Sequence, residues 1–286
     1  MNHRYWAVIG GLFAALAAPC AGAAGRPPAP DWNTQASISY LPASNLHGAA
    51  ADASISDYRV RISRNLAFDS ALTLSVGGGY ALKHIESSPG AALPSDLHAL
   101  TLETGLNYRL SDRSFASLKI TPGFYSDFGD LGSDDLRMPL LALGGYTFEN
   151  GISVIGGFLY RFGYHAAAFI PALGLTYQPN EQWRIDLVMP RPGVTYSASR
   201  QLRFSLAGDL ASDEYQLKDR SHGAEVLRYS DYKLIGGVDY LPIPPVKISA
   251  AAGYAFERKF LFHDGPRQDV RLDGAPFLRL AIDYSW

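Results

Sequence analysis

The chain is poor in the features from which several protein classes are built. Its one cysteine, Cys20, cannot close an internal disulfide, so no cystine framework holds the 286 residues together. Charged residues are only 18% of the chain and sum to −2, which leaves no basic footprint for nucleic acid. After residue 24 no apolar run reaches the eighteen or so residues of a membrane helix. Runs of Ala, Leu, Glu and Lys at helical period are also missing, which argues against a helical bundle. What is plentiful is glycine (28), tyrosine (17) and phenylalanine (14), a mixture suited to strands and aromatic belts.

The N-terminus has the form of a secretory signal. His3 and Arg4 make a short polar head, Tyr5 to Ala18 is uncharged and apolar, and Ala21-Gly22-Ala23 supplies the small residues a signal peptidase needs. Cleavage is expected after Ala23, giving residues 1–23 as signal peptide and 24–286 as one domain. Pro19 and the small-residue tail argue against an uncleaved anchor, and Pro19 directly before Cys20 is a poor fit to a lipoprotein signal. Removal of Cys20 leaves a mature chain that can cross an oxidising periplasm without forming disulfides.

Alternation of apolar and polar residues at period two runs along the rest of the chain, the signature of strands with one apolar and one polar face. Leu72, Leu74, Val76, Tyr80 and Leu82 alternate with Thr73, Ser75, Gly77 and finally Lys83. Leu100, Leu102, Leu106, Tyr108 and Leu110 oppose Thr101, Glu103, Gly105, Asn107 and Arg109. The pattern returns in Ala116 to Phe124, in Leu202 to Leu210, and in Val246 to Phe256, where Glu257 is assigned to the polar face. Ile152 to Tyr164 is less regular, because Ile155 and Leu159 share the face of Ser153 and Arg161.

Connections alternate in length. Ser111-Asp112-Arg113, Glu149-Asn150-Gly151 and Pro179-Asn180-Glu181-Gln182 are tight turns, while longer links fall near 84–96, 129–135, 218–225 and 259–275. The segments expected as strands are 33–41, 55–66, 70–83, 97–110, 114–128, 136–148, 152–164, 170–178, 183–189, 193–198, 202–217, 226–241, 246–260 and 276–286. That is fourteen, or twelve if the short pair around Met189-Pro190-Arg191-Pro192 does not span.

Alternation alone does not separate a soluble sandwich from a barrel in lipid. Three features favour lipid. The polar face is rich in glycine and small residues, as a crowded lumen requires. The apolar face ends in rings such as Tyr80, Tyr108, Phe124, Tyr146, Trp183, Tyr240 and Tyr254, which suit the boundary between hydrocarbon and water. The last segment alternates Leu278, Leu280, Ile282, Tyr284 and Trp286 with Arg279, Ala281, Asp283 and Ser285. This resembles the C-terminal signal of outer-membrane barrels, and the resemblance implies recognition of Tyr284 and Trp286 by the barrel-assembly machinery. Trp stands where that signal usually has Phe. The fold expected is all-β: a closed, up-and-down antiparallel transmembrane β-barrel of about twelve to fourteen strands, located in the bacterial outer membrane. An open sheet would leave backbone groups unpaired in hydrocarbon, so the last strand must pair with the one near 33–41.

Local patterns are similar to those of an uncharacterised family of bacterial outer-membrane β-barrels, a domain of unknown function. The stretches that carry the resemblance include Leu100 to Tyr108, Thr121 to Phe128, Pro171 to Tyr177 with Pro179-Asn180 and Trp183 to Leu187, and Gly253 to Arg258. It runs from about residue 35 to the end. The family brings a fold and no activity.

Chemistry is hard to find. The mature histidines, His47, His84, His98, His165, His222 and His263, sit in no metal or catalytic spacing, and most fall in expected long links, where they read as solvated loop residues. Ser221 beside His222 is the one pair from which an outer-leaflet acyl hydrolase could be drawn, and adjacency in a loop is a weak basis. Asp127, Asp130, Asp134 and Asp135 lack the spacing of a calcium loop. Gly77-Gly78-Gly79, Gly144-Gly145, Gly156-Gly157 and Gly236-Gly237 lie inside strand patterns, where they serve bending or close packing. No cofactor is expected, and lipid is the expected surrounding partner. The inward face carries the functional content: Glu103, Arg109, Lys119, Arg161, Arg184, Asp186, Arg203, Asp209, Lys233, Asp239, Arg279 and Asp283 are expected to face the lumen. Both signs are present, so the list argues for pairing across the lumen as much as for a selective pore. A passive channel or small-solute transporter is the leading expectation, with a non-conducting barrel presenting its loops as the rival.

Overall fold

The computed structural model describes residues 32–286 apart from 49, 166 and 167; the segment expected as signal peptide lies outside them. Sixteen strand segments form one closed antiparallel barrel. In chain order they are β1 (Trp32–Asn45), β2 (Asp52–Ala67), β3 (Leu72–Ser87), β4 (Asp96–Arg109), β5 (Ser114–Ile120), β6 (Gly123–Ser126), β7 (Leu136–Thr147) and β8 (Ile152–Phe162). There follow β9 (Phe169–Tyr177), β10 (Trp183–Val188), β11 (Gly193–Ser197), β12 (Leu202–Gln216), β13 (Val226–Ile243), β14 (Val246–His263), β15 (Val270–Leu272) and β16 (Ala275–Ser285). β5 and β6 are two halves of one stave, interrupted at Thr121-Pro122, and β15 is a short side strand on β14. The barrel therefore has fourteen staves.

Closure is where the alternation placed it. β1 pairs with β16 from Asn33↔Ser285 to Tyr40↔Leu278, and Trp32 and Trp286 exchange backbone hydrogen bonds of 2.9 and 3.0 Å with their rings stacked. The first and last strands thus leave no open edge between them, as hydrocarbon demands. Connections of two to five residues lie at the end that holds Trp32 and Trp286, and most of those at the other end are longer. In outer-membrane barrels the turn end is periplasmic.

β10 and β11, six and five residues long, are hydrogen-bonded into the wall but fall short of the nine to eleven usual for a membrane strand. Above them β12 continues without a full-height neighbour and leans across the interior. Its end meets β6 in a parallel pair, Gln216↔Ser126, supported by Asp127 N–H donating to the Gln216 carbonyl at 3.3 Å.

The band facing outward is oily: Ile38, Val60, Ile62, Leu102, Leu173, Leu206, Leu234 and Leu280 are exposed large apolar residues, Leu173 by 76%. In water such a surface would be prohibitive; in a bilayer it is the solvent contact. Glycines inside the strands allow the close approach their pattern implied. A Cβ on Gly157 would lie 2.0 Å from the Ala142 carbonyl oxygen, and one on Gly77 would lie 2.6 Å from that of Ile62.

Three expectations need correction. The strands bordering the long loops run further than the alternation suggested, β3 to Ser87 and β14 to His263. The interior is not polar throughout, because the loop end is filled by apolar side chains that include Leu41, Ile55, Leu97, Leu217, Tyr229 and Phe260. Glu257 also leaves the lumen. A bulge in β14 opposite Ser230 and Tyr232 puts Glu257 at φ 52, where it pairs with Lys259 at 2.6 Å and turns Arg258 inward instead.

Candidate functional site: a charged chamber at mid-barrel

Below the apolar cluster the inward faces become charged. Two cavities, of about 240 and 160 Å³, lie there, and Gln35, Arg59, Arg191 and Asp213 line both. β2 supplies Asp57, Arg59 and Arg61 at alternate positions, since strand geometry sends every second side chain inward. β3 adds Lys83, β4 Glu103, β5 Lys119 and β8 Arg161, while β12 contributes Asp209 and Asp213. Lys233 and Arg279 come from β13 and β16, and Arg191 enters from the tight connection between β10 and β11. Tyr125, Tyr164 and Tyr215 line the larger cavity.

The carboxylates are shared. Glu103 takes Lys119 at 2.9 Å together with Arg61, and Asp209 takes Arg191 at 2.9 Å together with Arg279 at 4.0 Å. Asp213 lies 3.6 Å from Arg59 and 3.9 Å from Lys83, which has Asp57 of its own at 2.6 Å. Lys233 and Asp231 form a buried pair at 2.5 Å, with Tyr229 donating to Asp231 at 2.9 Å. Arg161 lies over the Tyr164 ring, 3.8 Å from its centre. Behind it, Arg137 and the fully buried Glu214 approach to 3.5 Å. Burial varies widely: the Lys83 side chain is 2% exposed, whereas that of Arg59, although paired with Asp213, is 45% exposed.

The residues named from sequence divide into two groups. Glu103, Lys119, Arg161, Asp209, Lys233 and Arg279 meet at the cavities. The other six lie outside them. Arg109 donates to the Ser70 carbonyl of a turn at 2.6 Å, Arg184 binds Asp186 on its own strand at 2.9 Å, and Arg203 sits opposite Asp239, which accepts from Ser249 at 2.6 Å. Asp283 holds Gln35 at 2.8 Å and Lys247 at 3.1 Å. Asp57, Arg59 and Arg61 escaped the sequence reading although they alternate with Tyr58, Val60 and Ile62 as regularly as any segment used. Asp213 likewise continues the phase of Asp209. Arg191, in a proline-flanked turn, carries no signal.

Hydrogen bonds and ion pairs tie the loops and the strand ends beside them together. His222 Nδ1 meets the Ala92 carbonyl at 3.0 Å, away from a nucleophile, and Ser221 donates its backbone N–H to Asp219 at 2.8 Å. His47, His84 and His165 each pair with an aspartate, at 2.7, 2.7 and 2.5 Å. The acidic loop is spent on Lys218: Asp134 and Asp135 reach its ammonium at 2.8 and 3.3 Å, and Asp127 accepts its backbone N–H at 2.8 Å. Among the described residues no group of three or more His, Cys, Asp or Glu is gathered to hold a metal ion.

A profile of the family described as a domain of unknown function (DUF6268) matches residues 35–270. The chain belongs to that family. No curated protein matches this DUF6268 sequence. In fold, the DUF6268 barrel is similar to an outer membrane channel from Pseudomonas putida F1, with a TM-score of 0.50 at 11% identity over 90% of this chain and 96% of that one. It is also similar to a deltaS2 mutant of the TodX monoaromatic hydrocarbon channel, with a TM-score of 0.52 at 11% identity, covering 91% and 90%. With the oily outer band, this fold makes the chain a β-barrel protein of the bacterial outer membrane.

Proposed function

We propose that this barrel is a passive channel or small-solute transporter of the outer membrane. The observation that carries the reading is Arg59, a guanidinium left 45% exposed in the middle of a membrane-spanning cylinder, between two cavities. Burying an ionised group away from water is expensive, so a lumen that leaves a cation open in this way is a wetted one. Fourteen staves are enough to surround such a passage. Purified protein in planar bilayers is expected to give discrete current steps; a trace no different from protein-free bilayers overturns the reading.

The apolar cluster at the loop end favours a second reading, a non-conducting barrel that displays its loops. The same recording separates the two. Acyl hydrolysis has no support from the loops, because His222 is committed to a backbone carbonyl. Export and assembly are part of the proposal: residues 1–23 are removed, and the last strand, through Tyr284 and Trp286, is read by the assembly machinery. N-terminal sequencing of outer-membrane material should begin at Ala24, and Trp286→Ala should lower the amount assembled in cells several-fold.

A further inference from the structure

The chain as a whole is slightly acidic at −2, yet its chamber is not. Eight cationic side chains and four carboxylates line the two cavities. Adding the flanking Arg137, Glu214 and Asp231 still leaves nine against six. The excess has a structural cause: Glu103, Asp209 and Asp213 each serve two cations, so no pairing scheme neutralises the wall. The alternation of signs along the sequence concealed this, because most of the carboxylates it offered lie near the turns.

The unsatisfied groups point the same way. Arg61 Nε, Arg161 Nη1, Thr121 Oγ1 and Ser212 Oγ are buried atoms with no hydrogen-bond partner among the described residues, and all four residues line the larger cavity. Each of the four can donate. Arg161 is 4% exposed, and its guanidinium carbon lies 3.8 Å from the centre of the Tyr164 ring, a cation–π contact that restrains it. Buried donors without acceptors cost free energy, and an oxyanion supplies acceptors and charge together. Together the cavities fall at the lower end of the range for small-molecule sites, roughly 300–1,000 Å³.

We propose that the mid-barrel chamber is a selective site for a small organic oxyanion, a compact solute bearing a carboxylate or phosphate group, with Arg59, Arg61, Lys119 and Arg161 as its principal cations. As a transport specificity this rests on the channel reading; as a binding site it does not. The test has two arms. In bilayers under a KCl gradient, the reversal potential is expected to report chloride preference, and benzoate or phosphate should block the current. Arg59→Gln combined with Lys119→Gln should move the potential toward zero and weaken block about tenfold. Currents without anion preference, or block unchanged in the double variant, overturn the site while leaving the channel standing.

If no current appears, the channel reading fails and calorimetry on detergent-folded barrel decides the site. Benzoate or phosphate should bind, neutral benzamide should not, and the double variant should lose the heat while keeping its heat-modifiable gel mobility. Absence of heat from both anions on folded protein, or equal binding of benzamide, overturns the proposal. Whichever anion binds more tightly identifies the headgroup.

Discussion

The two ends of β2 obey opposite rules. From loop to turn its inward residues are Ala53, Ile55, Asp57, Arg59 and Arg61, while its outward ones are Ser54, Ser56, Tyr58, Val60 and Ile62. Near the loop the strand is polar outside and apolar inside; further down it is apolar outside and charged inside. The switch recurs at matching levels around much of the wall, between Leu41 and Tyr40 on β1, Ile85 and Leu82 on β3, Tyr229 and Tyr232 on β13, and Phe277 and Leu278 on β16. One physical cause accounts for it. Within the bilayer the outer face meets hydrocarbon and the polar residues turn to the lumen, whereas beyond it the outer face meets water and the wall needs an ordinary core. The inversion therefore draws the outer boundary of the membrane on the sequence.

The largest test of this contrast removes part of the apolar cluster. Phe260 is fully buried against Tyr229, with ring centres 5.1 Å apart. Phe260→Ala should cost about 3–5 kcal/mol of stability, as for other buried aromatic truncations, read from urea unfolding in micelles. The same variant should raise single-channel conductance several-fold if the cluster is the constriction. Unchanged conductance would place the constriction in the charged chamber instead.

A smaller test compares the two zones on one strand and one face. Val60→Arg sets a cation into the lipid-facing band and should cost about 2–4 kcal/mol. Ser56→Arg, four residues nearer the loop on the same outward face, should cost less than about 0.5 kcal/mol. Equal penalties in a vesicle-folding titration would mean that the boundary does not pass between them.

Alternation at period two gave away the barrel because lipid imposes it on every stave, and closure of β1 on β16 followed from the cost of open edges. The inversion was also present in the residues, for example in Ile55-Ser56-Asp57-Tyr58, where the apolar phase slips by one. A single phase along each segment does not follow the chain past such a slip, and several strands next to the loops, β3 and β14 among them, extend beyond the range that phase predicts. The bulge at Glu257 defeats phase reading altogether, since it keeps apolar residues at even numbers while exchanging their faces. The chamber was half legible. Glu103 and Lys119 stand out by alternation, but the cationic excess depends on which strands face each other across the lumen, and Arg191 reaches it from a turn with no period at all.

The smallest expected effect concerns the loop lashing beyond the membrane. Hydrogen bonding to the Lys218 ammonium, at 2.8 Å, holds the Asp134 carboxyl below the usual aspartate value. Burial opposes the charge on Lys218, but its bonds to Asp134 and Asp135 outweigh that and raise its pKa above the usual lysine value. A carboxyl lowered on folding stabilises the lash above its unfolded value and loses that contribution as pH falls through the folded one; an ammonium raised on folding loses it as pH rises through its own. The lash between 127–135 and 217–225 should therefore hold across the neutral range and loosen below about pH 4. Asp134 is half exposed and screened by solvent, so the change should be local and modest. Hydrogen exchange of the two loops, corrected for intrinsic rates, should show faster opening at pH 3 than at pH 5, while β13 and β14 stay protected. Lys218→Gln should bring the faster opening to pH 5, and loops that exchange alike at both pH values in both proteins would show that the chamber roof is held by its apolar cluster alone.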